Sequence, residues 1–146
     1  MKLALVLIAT LAAGAAQAQA PAWALTAEKG QPAELVFGAD DLILRCPPGA
    51  RGQITVDLMV PPTGDPAPIP RSVRLSSGLA ATTLRGQAPV IGRFGASFAE
   101  SEFSTAAPVA QAFRKTGQIS VSAMDVTQSP VPAKPAMVRK FLSACR

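Results

Sequence analysis

The sequence predicts an α+β protein: a mostly antiparallel β-sandwich or half-barrel of about seven or eight strands, with two short helices and one disulfide. Three observations lead to this fold class. Short segments that alternate between apolar and polar residues recur along most of the chain, separated by turns rich in glycine and proline. Two segments in the last third have helical periodicity instead. The chain also contains two cysteines, far apart in sequence.

Residues 1–18 have the layout of a secretory signal peptide. One positive charge precedes an apolar run of about eleven residues, which is too short to cross a bilayer core of about 30 Å. Small residues permit cleavage after Ala18 or after Ala20, and we favour Ala18 because Pro21 would hinder a peptidase at the second site. We therefore predict a periplasmic or secreted protein in which residues 19–146 form a single β-rich domain. No later segment is long and apolar enough to predict a transmembrane helix in the mature chain.

The strands are predicted from period-two alternation and from short apolar runs. Segment 54–60 is the clearest, because its apolar residues share one face while Thr55 and Asp57 point to the other. Segment 42–44 is apolar throughout, which predicts a strand covered on both faces. Further strands are predicted at 21–27, 33–37, 72–75, 79–84, 90–98 and 118–123, with a break at the glycines of 90–98.

Capping and stop signals delimit two predicted helices. The first has Ser104 as its cap, Pro108 in its first turn and Gly117 as its end. The second spans about 135–144, and its apolar residues fall within one stripe of about 140°. That stripe consists of Met137, Val138, Phe141, Leu142 and Cys145.

Cys46 and Cys145 are predicted to form a disulfide, because an exported chain with two cysteines usually joins them. The inward stripe of the last helix includes Cys145 and turns it toward the sheet that contains Cys46. Closing a loop of about 100 residues would stabilise the fold by about 4.7 kcal/mol on the chain-entropy account. Two cysteines at this separation and no histidine match no zinc spacing, so neither a metal site nor a cofactor is predicted.

Charge is distributed unevenly along the chain. After residue 18 the sequence has 13 Lys and Arg (14 minus Lys2) and 9 Asp and Glu, a net charge of +4. Segment 103–146 has six basic residues and one acidic residue, Asp125. Ordinary solubility charge on helical faces is the preferred interpretation of this asymmetry, and a surface for an anionic partner is the alternative. Scattered basic residues and the lack of tyrosine speak against nucleic acid. The surface for an anionic partner would consist of Arg114, Lys115, Arg139 and Lys140.

Catalytic chemistry finds little support in the sequence. The absence of histidine excludes every triad of nucleophile, histidine and acid. Glu100 and Glu102 are spaced to share a strand face, as a pair of catalytic carboxylates would be, but neighbouring acids on one edge are usually solvated. No glycine-rich phosphate cradle is present. We therefore predict that the protein is not an enzyme.

The segment Ala112-Phe-Arg-Lys-Thr-Gly117, followed by a strand and by a helix ending Phe141-Leu-Ser-Ala-Cys145, resembles small exported bacterial proteins of the invasion-associated locus B type. The resemblance covers about a third of the chain. It implies a signal-bearing, cysteine-containing protein of the periplasm or cell surface without known catalysis.

A second resemblance is to the periplasmic inhibitors of C-type lysozyme. In that family a cysteine on an early strand pairs with one near the end of the chain, as Leu44-Arg-Cys46 and Cys145 would here. The sequence thus predicts a non-catalytic binding or accessory protein acting on a protein or cell-envelope partner. The alternative is a proteinaceous inhibitor of a cell-wall hydrolase such as lysozyme.

Overall fold

The computed structural model of the chain describes residues 20–62, 72–87, 90–91 and 96–146, and the predicted signal peptide lies outside them. The described part contains ten strands and two helices. The strands are β1 Trp23–Thr26, β2 Ala33–Phe37, β3 Leu42–Cys46, β4 Gln53–Val60, β5 Val73–Ser77, β6 Ala80–Leu84, β7 Val90–Ile91, β8 Ser97–Ser104, β9 Ser120–Ala123 and β10 Val126–Gln128. The helices are α1 Pro108–Thr116 and α2 Pro135–Ala144.

The strands form two antiparallel sheets. The larger sheet has the order β1-β2-β3-β4-β8-β7 and the smaller one β10-β9-β5-β6. Strands β1 to β4 follow one another as a meander, whereas β4 and β8 pair along eight residues, from Gln53 opposite Ser104 to Val60 opposite Ser97. The predicted α+β class with antiparallel sheets, two helices and one disulfide is confirmed. The two separate sheets correspond to the sandwich alternative.

One hydrophobic core lies between the sheets and the helices. Every second residue of β4 points into it, which is the alternation that predicted this strand. Helix α2 packs against β2, and α1 packs against α2, β5 and β6. The largest fully buried side chains are Phe113, Phe141, Leu35, Leu42, Leu44, Ile54, Leu58 and Leu75.

Strand β3 is buried on both faces, as its apolar run predicted. Leu42 and Leu44 face the core and are fully buried, and Ile43, on the opposite face, is only 9% exposed. The outer face of the larger sheet is therefore protected from water near its centre. The side chains of Arg45 and Asp57 lie beside Ile43 on this face.

Helix α1 begins later than the cap signal predicted, and Ser104 is not its cap. Strand β8 continues through Ser104 because its residues alternate and pair with β4. The N-cap residue is Ala107, which makes no side-chain capping bond, and Pro108 occupies the first helical position, where its missing N–H is harmless. The Ser104 hydroxyl instead accepts a hydrogen bond from the Ala106 N–H at 3.1 Å. The end at Gly117 is confirmed.

Strand β10 was missed by the sequence analysis. It has three residues, and it pairs with β9 through a tight turn in which Met124 and Asp125 both have positive φ. Three residues are too few for a periodic signal, and neither turn residue is glycine. The predicted strands at 21–27 and 118–123 are shorter in the structure, and the predicted break at the glycines of 90–98 falls at 92–95, outside the described residues.

The predicted disulfide between Cys46 and Cys145 is confirmed, with their Cα atoms 5.2 Å apart and a sequence separation of 99. Both cysteines are buried. The Cys145 carbonyl also accepts a hydrogen bond from the Gly52 N–H at 2.6 Å. The end of α2 is thus attached to both sides of the β3–β4 connection.

Among the described residues, neither helix has the length and apolar character that crossing a membrane requires.

Replacing both Cys46 and Cys145 by Ala should lower the free energy of unfolding by about 4–5 kcal/mol, because the unfolded chain regains the entropy of an open loop of about 100 residues. Urea denaturation of the oxidised wild type and the double variant measures the difference. Reduction with dithiothreitol should destabilise the wild type by a similar amount and leave the variant unchanged. Equal stability of oxidised wild type and variant would contradict the prediction.

Candidate functional site

The four basic residues predicted for an anionic partner lie on the two helices. Arg114 and Lys115 occupy the last turn of α1, and Arg139 and Lys140 occupy the middle of α2. Lys115, Arg139 and Lys140 are exposed, whereas Arg114 is half-buried. The apolar stripe of each helix takes the opposite side into the core, as the periodicity predicted. We call this group of four the basic helix surface.

The two helices that contain these four basic residues pack against each other. A depression of about 200 Å³ lies at their junction, and Arg114 from α1 and Arg146 after α2 both line it. Gln111 lines it too, and its side-chain amide donates a hydrogen bond to the Thr105 carbonyl at 2.7 Å. The depression therefore has two guanidinium groups and an ordered amide on its walls.

The helix dipole stabilises only two of the four basic residues of the basic helix surface. Arg114 and Lys115 stand in the last turn of α1, where the negative end of the helix dipole favours cations. Helix α2 has no basic residue in its last turn, so Arg139 and Lys140 gain no such stabilisation. Within the described part of the chain, none of the four forms an ion pair with an acidic residue. Their charge is thus available to a partner.

A second cluster of charges lies on the outer face of the larger sheet. Strand pairing places Glu34 of β2 opposite Arg45 of β3, and the Arg45 Nε donates to a Glu34 carboxylate oxygen at 2.7 Å. A second nitrogen of the same guanidinium lies 3.0 Å from Oδ2 of Asp57 on β4. Arg45 therefore bridges two carboxylates from the strands on either side of its own.

Asp57 is buried although it lies on the face away from the core. The residue is 5% exposed, and within the described chain its Oδ1 atom has no hydrogen-bond partner. The pKa of Asp57 is raised to about 6: burial is the largest cause, Arg45 acts in the opposite direction, and the charges of Glu100 and Glu34 add to the increase. The ionised form of Asp57 is thus less stable here than in water, although Arg45 contacts one of its oxygens.

Glu100 and Glu102 share the outer face of β8, as their spacing predicted. Pairing between β4 and β8 places Glu100 directly opposite Asp57, and Glu102 directly opposite Thr55. Sequence analysis named these two glutamates but missed Glu34, Arg45 and Asp57. The alternation put Asp57 on the outer face, but only the pairing of four strands brings it to these partners. We call Glu34, Arg45, Asp57, Glu100 and Glu102 the carboxylate cluster.

The β5–β6 hairpin presents a third feature at the surface. Its two-residue loop is Gly78-Leu79, with Gly78 at φ +56°, and the Leu79 side chain is fully exposed. An open cleft of about 240 Å³ beside this loop is lined largely by serine hydroxyls and prolines. A short hairpin thus holds one large apolar side chain fully in solvent.

Val131, which lies between two of the prolines that line this cleft, is also exposed, at 59%. Its segment is held in place by the Trp23 Nε1–H, which donates to the Val131 carbonyl at 2.7 Å. Gly117 accepts a further bond from the Ala133 N–H at 2.8 Å. A side chain on Gly117 would collide with the Ala133 carbonyl, so this contact requires glycine.

The described side chains do not form a metal-binding site. Within the described residues, no group of three or more His, Cys, Asp or Glu is placed to hold a metal ion. The carboxylate cluster has an acid with a raised pKa, but the sequence has no histidine to act as its partner. The absence of enzymatic activity remains a prediction.

Comparison with known proteins finds no matching family model, no similar curated protein and no similar solved structure. The two resemblances noted in the sequence therefore stay predictions. Function has to be argued from the surfaces themselves.

Replacing Asp57 by Asn should remove a pH-dependent part of the stability. The pKa of the Asp57 carboxyl is about 6 in the folded protein and about 3.9 in an unfolded chain. Between about pH 3.9 and pH 6 the folded protein therefore keeps a proton on Asp57 that the unfolded chain loses. The resulting stabilisation is complete below about pH 4 and is lost as the pH rises to about 6, which lowers the free energy of unfolding by roughly 2–3 kcal/mol.

Urea denaturation between pH 4 and pH 7 measures this effect as the difference between wild type and Asp57→Asn. Asp125→Asn is the matched control, because Asp125 is exposed and Asn tolerates its positive φ. A difference between wild type and Asp57→Asn that does not change with pH would contradict the raised pKa.

Proposed function

We propose that this chain is a non-catalytic periplasmic binding or accessory protein whose partner is a protein or cell-envelope component with an anionic surface. The observation that supports this most is the basic helix surface, which joins two packed helices and has no acidic partner among the described residues. Arg146 extends it into the depression at the helix junction. Export is inferred from the N-terminal sequence alone.

Rigidity of the helices favours recognition over a solvating role. Helix α2 is attached through the disulfide at Cys145, and α1 is attached to α2 by side-chain packing. Basic side chains on fixed helices lose less conformational entropy when they bind than side chains on a flexible tail do. The spacing of their charges is therefore preset for a complementary anionic surface.

Reversing Arg139 and Lys140 to Glu should weaken capture of the partner by about tenfold or more, because two attractive charges become repulsive. The oxidised mature protein is immobilised, exposed to periplasmic extract at increasing salt, and the retained material is identified and quantified. The wild-type complex should weaken with salt, since exposed charges are screened over about 8 Å at physiological ionic strength.

The matched control reverses two exposed basic residues outside the helices, Lys29 and Arg74, and should retain wild-type capture. Capture by the Arg139→Glu, Lys140→Glu variant that equals wild type at every salt concentration would overturn the proposal.

A second candidate function, inhibition of a cell-wall hydrolase such as lysozyme, is favoured by the β5–β6 hairpin. Inhibitors of this kind insert a preformed loop into an enzyme cleft, and a short hairpin has little freedom to lose on binding. Leu79 at its tip is fully exposed and flanked by the two strands of the hairpin. It would supply the apolar contact.

If the hairpin inhibits such an enzyme, Leu79→Ser should raise the inhibition constant by about tenfold, because burial of a leucine side chain is worth roughly 1.5–3 kcal/mol. Leu79→Met keeps the apolar contact and should remain close to wild type. The assay follows lysis of cell-wall substrate by C-type lysozyme with each variant present. Full lysozyme activity in saturating wild-type protein would exclude this candidate for that enzyme.

A further inference from the structure

The carboxylate cluster has more negative charge than its own arginine balances. Glu34, Asp57, Glu100 and Glu102 are four carboxylates, and Arg45 is the single cation among them, which leaves a formal charge of −3 when all are ionised. Directly opposed residues on paired strands have Cβ atoms about 4.5–5.5 Å apart, where like charges are destabilising. Asp57 and Glu100 are such a pair.

Arg45 leaves part of this cluster without a donor. Its guanidinium is committed to Glu34 at 2.7 Å and to Oδ2 of Asp57 at 3.0 Å. The other oxygen of Asp57 is buried, and within the described chain no donor reaches it. A buried acceptor without a donor destabilises the fold, and the effect is larger when the acceptor is charged. Asp57 Oδ1 and the half-exposed Glu100 carboxylate opposite it are thus two acceptors with which Arg45 forms no ion pair. This pair of acceptors marks the position that a further cationic donor would occupy.

The surroundings of this position favour a protein side chain over a metal ion. The described residues contain no group of acidic or other ligating side chains suited to a metal. The same sheet face has Val36, Ile43, Met59 and Phe98 beside the carboxylates, of which Ile43 is buried and the others are half-buried. Apolar side chains around a few charged groups are typical of protein–protein interfaces.

We propose that the carboxylate cluster is a second binding site, which receives an arginine side chain from a basic partner protein between Asp57 and Glu100. The planar guanidinium is the best fit, because it donates several hydrogen bonds in one plane and keeps its charge when partly desolvated. This site is separate from the basic helix surface and selects the opposite charge. It goes beyond the proposed function, which concerns an anionic partner.

The probe for this proposal is an octa-arginine peptide titrated into the oxidised, folded protein at low salt and pH 7. The protein has a formal net charge of +5, so its overall field repels the peptide and binding reports a local acidic site. Asp57→Asn and Glu100→Gln should each weaken binding by about tenfold, as expected for the loss of a charge-assisted hydrogen bond.

Two matched substitutions of exposed acids, Asp125→Asn and Glu28→Gln, should leave the affinity for octa-arginine unchanged. If Asp57→Asn does not fold, the test depends on Glu100→Gln, which we expect to fold because the Glu100 side chain is half-exposed. Equal weakening by all four substitutions would show binding by general charge only and overturn the proposal. Binding of Ca²⁺ or Mg²⁺ that excludes the peptide would overturn it in favour of a metal site.

The carboxyl ¹³C resonance of Asp57 gives an independent readout. The charged groups that face it are Glu34 from β2, Arg45 from β3, and Glu100 and Glu102 from β8. The peptide should shift the Asp57 titration to lower pH, because a bound cation favours the carboxylate. Titration of Asp57 below about pH 4 in the free protein would show that its own chain already supplies the cation.

Self-association is tested in the same samples by sedimentation equilibrium without peptide. A monomer at low salt supports a separate basic partner. A dimer or longer assembly that Glu100→Gln disrupts would mean that the cluster receives the basic helix surface of a second copy, and would overturn the proposal as stated.

Discussion

The covalent bond between Cys46 and Cys145 is the constraint on which the arrangement of the surfaces depends. Helix α2 has ten residues, too few to be stable as an isolated helix in water. Its end is fixed to β3 by the disulfide, and its apolar stripe packs on the core. Helix α1 then packs against α2. The position of the basic helix surface therefore depends on this bond together with the packing of both helices on the core.

Local periodicity accounts for what the sequence predicted correctly. The alternation in 54–60 and the stripe of 135–144 each depend on residues within one element, and both elements are present with nearly the predicted bounds. The carboxylate cluster could not be predicted in this way, because Arg45, Asp57 and Glu100 come from three different strands, of which β8 is distant in sequence from β3 and β4. Only their pairing register brings them together. The burial of Asp57 likewise depends on neighbours that no local pattern specifies.

Two charged regions of opposite sign coexist in a chain whose net charge is positive. The positive net charge of the chain agrees with the local charge of the helices. It does not reflect the outer face of the larger sheet, where four carboxylates surround a single arginine. Long-range attraction would bring an anionic surface toward the helices, whereas a cationic group would be held by the sheet only at short range. The two surfaces thus differ in reach as well as in sign.

The order of strands in the larger sheet has a consequence for how the chain folds. Strands β1 to β4 pair with their neighbours in sequence, so this meander closes only short loops. Strand β8 joins β4 after the chain has run through residues 61–96, and β9 joins β5 only after α1. Closing long loops loses more entropy before any contact compensates, which slows folding. We expect the meander to form first and the disulfide to form last.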